Sequence, residues 1–118
     1  TDQWLRVLAP EGDLSIRGTG DDACMLGLWL DREDGTRIKD GGFDGMYTYF
    51  AADGFTYGSS RSNWNSMSAF ARQHNLLFVP SVGPGYDDSK IRPWNTATKR
   101  SRKGGLYYDT MWGAAMAS

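Results

Sequence analysis

Residues 42–64, GFDGMYTYFAADGFTYGSSRSNW, and their echo at 76–95, LLFVPSVGPGYDDSKIRPWN, decide the fold. Each opens as a short apolar run of residues that favour extended backbone. Each then breaks into a loop rich in Gly, Tyr and polar groups. Between them, residues 63–74 set Trp64, Met67, Phe70 and Ala71 on one helical stripe. The order predicts a β-α-β unit whose strands both run into long loops at their C-terminal ends.

The flanks continue the rhythm. Residues 24–30, CMLGLWL, are apolar without alternation, as expected of a strand buried on both faces. Residues 31–40 hold at most a short helix, ended by Gly41 and Gly42. Trp4, Leu5 and Leu8 read as the last turns of a helix that starts further upstream, and residues 107–117 start another with Met111, Ala114 and Ala115 on one side. Ser60 or Ser62 is placed to cap the helix over 63–74, and Asn75 to close it. Strands are thus expected at 24–30, 44–50 and 76–80, parallel and in one sheet. Asp44, at the start of its strand and on the opposite face from Tyr49, is expected to be structural. Three such strands make less than half of an eight-fold barrel of roughly 250 residues. The fold class is α/β, a partial (β/α)8 TIM barrel with about three parallel strands and their crossover helices. Residues 1–118 read as a fragment of one catalytic domain, whose first partner is the remainder of its own barrel.

Composition narrows the functions. At 118 residues, with 40% hydrophobic and 23% charged residues, the chain is ordinary for a soluble domain. Its 14 acidic and 13 basic residues nearly cancel, so no net field draws it to nucleic acid or an anionic membrane. The basic run at 99–103 reads as a solvated loop. Cys24 is the one cysteine, which excludes an intrachain disulfide and a cysteine-based zinc cage; in its apolar run it reads as a buried small hydrophobe. No run approaches the roughly 20 apolar residues of a membrane span.

Common enzyme signals fall away. Gly83-Pro84-Gly85 follows a strand but is neither a P-loop nor a dinucleotide fingerprint. His74, the one histidine, sits at a helix end, where it suits terminal carbonyls better than base catalysis. What remains is the set of side chains where strands hand over to loops: Tyr49, Tyr57, Tyr86, Asp87, Asp88, Arg92, Trp94 and Asn95. Aromatic rings offer flat apolar faces to the C–H face of a sugar, while Arg, Asn, Asp and Tyr groups can satisfy its hydroxyls. The bland alternative has Trp94 packing a loop and Arg92 pairing with a loop carboxylate. Glycoside hydrolysis needs two carboxyl groups roughly 5 to 10 Å apart. Asp87 and Asp88 are adjacent, so they diverge. The residues alone describe the wall of a sugar site without its catalytic pair.

Taken together, DGMYTYF, PSVGPGY and IRPWN, with GGLYYDTMW beyond them, resemble the endo-α-1,2-mannosidase family of glycoside hydrolases from residue 15 to about residue 115. The resemblance implies a (β/α)8 barrel that cuts inside α-mannoside chains, in N-glycans for animal members and in mannans for bacterial ones. It implies a retaining mechanism through a 1,2-anhydro sugar, served by two glutamates and by no metal or cofactor. Those glutamates lie in the family on the strand after the helix begun at Tyr107, so no residue of this chain is expected to be catalytic. The family's substrate wall falls on Tyr49, Tyr86, Arg92, Trp94 and Asn95. The expected partner is an α-mannoside glycan, with no nucleic acid and no direct membrane contact. The implied compartment is the Golgi lumen for an animal protein, or the periplasm or cell surface for a bacterial one. The competing reading is a catalytically dead barrel that keeps only the sugar cleft.

Overall fold

A computed structural model describes residues 2–49 and 52–118. The elements are α1 (Asp2–Leu8), β1 (Leu26–Leu28), α2 (Asp34–Asp40), β2 (Gly45–Tyr47), α3 (Trp64–Gln73), β3 (Leu77–Val79) and α4 (Leu106–Ala117). Single 3₁₀ turns at Arg61–Asn63 and Lys103–Gly105 lead into α3 and α4. The sheet order is β1-β2-β3, and both pairings are parallel, as expected. Each strand is a short core inside its apolar run. Phe50, the expected end of the second strand, lies outside the described residues.

Register assigns the faces. Leu26, Gly45 and Leu77 form one row across the sheet, Gly27, Met46 and Phe78 the next, and Leu28, Tyr47 and Val79 the third. Alternate rows point to opposite faces. The middle row meets the helices. Met46 is fully buried in a cluster with Trp29, Ile38, Trp64, Met67, Ala71 and Met111, and Phe78 packs against it. A Cβ on Gly27 would come within 2.6 Å of the Ile38 side chain, so α2 lies directly on β1. On the other face Leu77 and Val79 are exposed. Sequential strand order with helices on one face is the barrel arrangement; a doubly wound sheet carries helices on both faces and reverses its order. In β1 itself Gly27 is buried on the helix side, while Leu26 and Leu28 on the other side are half-buried among the described residues. The expectation of a buried Cys24 is corrected. It is exposed, because β1 begins at Leu26 and the approach at 21–24 lies on the surface.

The stripe on α3 holds, with Trp64, Met67 and Ala71 buried. Its start differs. Neither Ser60 nor Ser62 caps α3; the Ser60 hydroxyl turns back to donate to the Thr56 carbonyl at 2.6 Å, and the 3₁₀ turn intervenes. Asn75 does close the helix, in the left-handed region at φ 56°, with Leu76 N donating to Ala71 O at 2.8 Å.

Both ends of the sheet are pinned. At the N-terminal ends, Arg17 donates to the carbonyls of Leu8, Ala23 and Gly42 and pairs with Asp22 and Asp44. Asp44 also accepts from Met25 N at 2.7 Å, which makes it the structural residue expected at the strand's start. At the other end Gly58 joins β1 to α3: its N–H donates to Leu30 O, and its carbonyl accepts from the Trp64 indole at 2.8 Å. A Cβ there would lie 1.8 Å from the Trp29 carbonyl oxygen. Gly58→Ala should therefore destabilise the protein by about 2–3 kcal/mol. A urea denaturation midpoint equal to the parent's would contradict this packing.

Candidate functional site

The chain leaves β2 and β3 side by side and stays tied as it does so. Thr48 is fully buried; its hydroxyl accepts from Ser81 N at 2.7 Å, and its carbonyl accepts from the Ser81 hydroxyl. Further out, Asp53 gathers the two loops. Its carbonyl takes two donations from Arg100, at 2.6 and 3.0 Å, and its N–H donates to the Tyr107 hydroxyl at 2.8 Å. Its carboxylate pairs with Arg61. Paired backbone bonds between Tyr86 and Arg100, 2.9 and 2.7 Å, close the neck of the long loop after β3.

Inside that neck the residues IRPWN form a turn whose chemistry is local. Asn95 N donates to Arg92 O at 2.9 Å, which puts Pro93 second and Trp94 third in a four-residue turn. Proline suits the second position because its φ is already set. Trp94 consequently stands at the tip, 78% exposed. The base of the turn is Asp88. Its backbone carbonyl accepts from Ile91 N and Arg92 N, at 2.8 and 2.7 Å. Its Oδ2 accepts from the Tyr86 hydroxyl at 2.9 Å and from Asn95 Nδ2 at 3.0 Å, and lies 3.6 Å from Arg92 Nη1.

The five expected wall residues do not converge equally. Tyr86, Arg92 and Asn95 meet on Asp88. Tyr49, beyond β2, is 64% exposed. Trp94 shares the turn but has no hydrogen bond or ring contact to the others among the described residues. Arg92 does pair with a loop carboxylate, as the bland alternative had it, yet 58% of its side chain remains open to solvent. Tyr57 belongs elsewhere: its ring packs 6.2 Å from Trp29, against the core. His74 packs on Phe70, ring centroids 4.5 Å apart, at the end of α3. A cleft of about 500 Å³ lies along the β1 edge among Trp4, Leu26, Leu28 and Ile38, and contains none of the wall residues. Reading the sequence missed Asp88 as the organiser and the Asp53–Arg100 tie; the first had a signal, an acid four residues before Arg92, and the second had none.

Electrostatics follow the contacts. Burial, then the Asp88 hydrogen bond, pushes the Tyr86 phenol above its ordinary value, so it is a neutral donor at neutral pH. Burial pushes the Asp88 carboxyl up, but the bonds from Asn95 and Tyr86 more than offset this and leave it below the usual range. Lys99, 2.8 Å from Asp87, and then Ser89 hold the Asp87 carboxyl well below that range. A depressed carboxyl contributes stability that is present above the unfolded value, about 3.9, and is lost only as pH falls through the folded one. The loop should therefore hold its structure down to about pH 4, with the ¹³C carboxyl signals of Asp87 and Asp88 titrating below that. Titration of either near or above the ordinary value would contradict these contacts.

Parallel strands in sequential order with helices on one face define a segment of an α/β barrel, whose C-terminal strand ends here carry polar and aromatic side chains. The whole chain, residues 1–118, matches glycosyl hydrolase family 99. It is 47% identical over 113 residues to rat glycoprotein endo-alpha-1,2-mannosidase, covering 96% of this chain and 24% of the rat protein. It is also 47% identical to the human glycoprotein endo-alpha-1,2-mannosidase-like protein, over 96% of this chain and 25% of that protein. The family 99 endo-alpha-mannosidase structure from Bacteroides thetaiotaomicron superposes with a TM-score of 0.94 at 47% identity, over 98% of this chain and 36% of the other. The chain belongs to glycosyl hydrolase family 99. It spans about a quarter of the length of the curated relatives it matches.

Proposed function

We propose that residues 1–118 form part of the single catalytic domain of a retaining endo-α-1,2-mannosidase, and that they supply one wall of its sugar cleft. The observation that carries this is the 0.94 superposition, at 47% identity, on a bacterial endo-alpha-mannosidase. In this reading Tyr49, Tyr86, Arg92, Trp94 and Asn95 hold an internal stretch of an α-mannoside glycan, either an N-glycan or a mannan. Trp94 offers a ring face to the sugar's C–H face. Arg92 presents a fixed fork of donors to hydroxyls or to a catalytic carboxylate. The carboxyl pair that breaks the bond, through a 1,2-anhydro sugar, comes from outside these residues. The setting is the Golgi lumen for an animal protein and the periplasm or cell surface for a bacterial one; no helix among the described residues is long and apolar enough to cross a membrane.

The test uses the full-length protein. It should cut an α-1,2-mannoside chain internally. Arg92→Ala should lower turnover by roughly 2 to 4 kcal/mol in activation free energy if it orients the reacting sugar. Tyr49→Phe isolates the hydroxyl and should cost activity while leaving the Tm almost unchanged. A parent that binds the chain without cutting it identifies a barrel that only binds carbohydrate. Both variants cutting at the parent rate would remove these two residues from the wall.

A further inference from the structure

We infer that Asp88 is a positioning residue: its buried carboxylate closes the base of the Arg92–Asn95 turn and thereby sets where Tyr86, Arg92 and Trp94 present themselves. This rests on the sugar-wall reading above and deepens it. Asp88 exposes only 10% of its side chain, although it stands in a loop whose neighbours are largely open. Two donors, Tyr86 and Asn95, bond its Oδ2 and the Arg92 guanidinium pairs with it at 3.6 Å, while its backbone carbonyl accepts from Ile91 N and Arg92 N. The other carboxylate oxygen, Oδ1, is sealed from solvent with no hydrogen-bond partner among the described residues. A buried acceptor left unpaired is costly. A loop selected for stability alone would not keep it, and such local violations belong to sites held for function. The residue type matters as well, because a carboxylate accepts from several donors at once and carries the charge that Arg92 needs.

In the sugar-wall reading Asp88 acts behind the wall, since its carboxylate is bonded to Tyr86 and Asn95 and paired with Arg92. Its substitution should therefore act through Arg92 and Tyr86 and not beside them. In the full-length protein, Asp88→Ala should lower kcat/KM on an α-1,2-mannoside chain by on the order of 10- to 100-fold, the loss expected when cleft groups move by about 1 Å. Asp88→Asn keeps an acceptor at the Oδ2 position but drops the charge, and should recover part of that loss. In an Arg92→Ala, Tyr86→Phe background, Asp88→Ala should cost less than about twofold more, since coupled groups do not add. Full, additive loss in that background would overturn the inference. Should Asp88→Ala not fold, Asp88→Asn placed in the Arg92→Ala background carries the same test, with additivity again overturning it. The sugar reading is separable, because crystal structures of parent and variant report the turn without any substrate. Tyr86, Arg92 and Asn95 should shift by on the order of 1 Å in Asp88→Ala. An unmoved 86–95 loop would overturn the positioning role whatever the substrate proves to be.

Discussion

Met46 is sealed from solvent in the middle of β2, in one cluster with Ile38 of α2 and with Trp64, Met67 and Ala71 of α3. Apolar burial at about 25 cal/mol per Å² is what commits both helices to that face of the sheet. Once they are committed, alternation settles the rest. Thr48 follows Met46 inward and is buried; Tyr49 follows Tyr47 toward the face the helices leave uncovered, and is exposed. Parallel strands send all their C-terminal loops to one end, so the wall residues after β2 and β3 share a side of the molecule without any contact having to bring them there.

The loops themselves are ordered differently. Few apolar side chains between Pro80 and Gly105 reach a core, and the described order rests on hydrogen bonds. Arg100 and Tyr107 reach back to Asp53, Lys99 pairs with Asp87, and Asp88 holds the IRPWN turn. Such bonds are modest one by one but exacting in geometry. In the proposed cleft, that kind of precision would serve to place an arginine and an indole against a sugar. At the opposite end the Arg17 hub, with five partners, joins α1 to the starts of β1 and β2, and Asp44 belongs to it.

Much of this was legible in the residues, and the exceptions have physical reasons. The strands were legible because each three-residue core sits in an apolar run that helices interrupt, and α3 because Trp64, Met67 and Ala71 recur at helical spacing. Cys24 misled, since hydrophobic neighbours say nothing about where a strand begins. The start of α3 misled as well, because serine hydroxyls compete for nearby carbonyls, and Ser60 found Thr56. Adjacency correctly implied that Asp87 and Asp88 diverge: one pairs outward with Lys99, the other turns inward. That the inward one would collect two donors and a guanidinium depends on how the loop folds back at Tyr86 and Arg100, a pairing of residues far apart in sequence. The Asp53–Arg100 tie spans 47 residues and leaves no local trace.

We propose that the C-terminal ends of β2 and β3 form a sugar-binding wall. The most direct test of this is a crystal structure of the full-length protein with an α-1,2-mannoside oligosaccharide bound. The Tyr49 hydroxyl and the Arg92 guanidinium should lie within about 3.2 Å of sugar oxygens, with the Trp94 ring against a sugar face. An oligosaccharide seated elsewhere, with no group of Tyr49, Tyr86, Arg92, Trp94 or Asn95 in contact with it, would contradict the account.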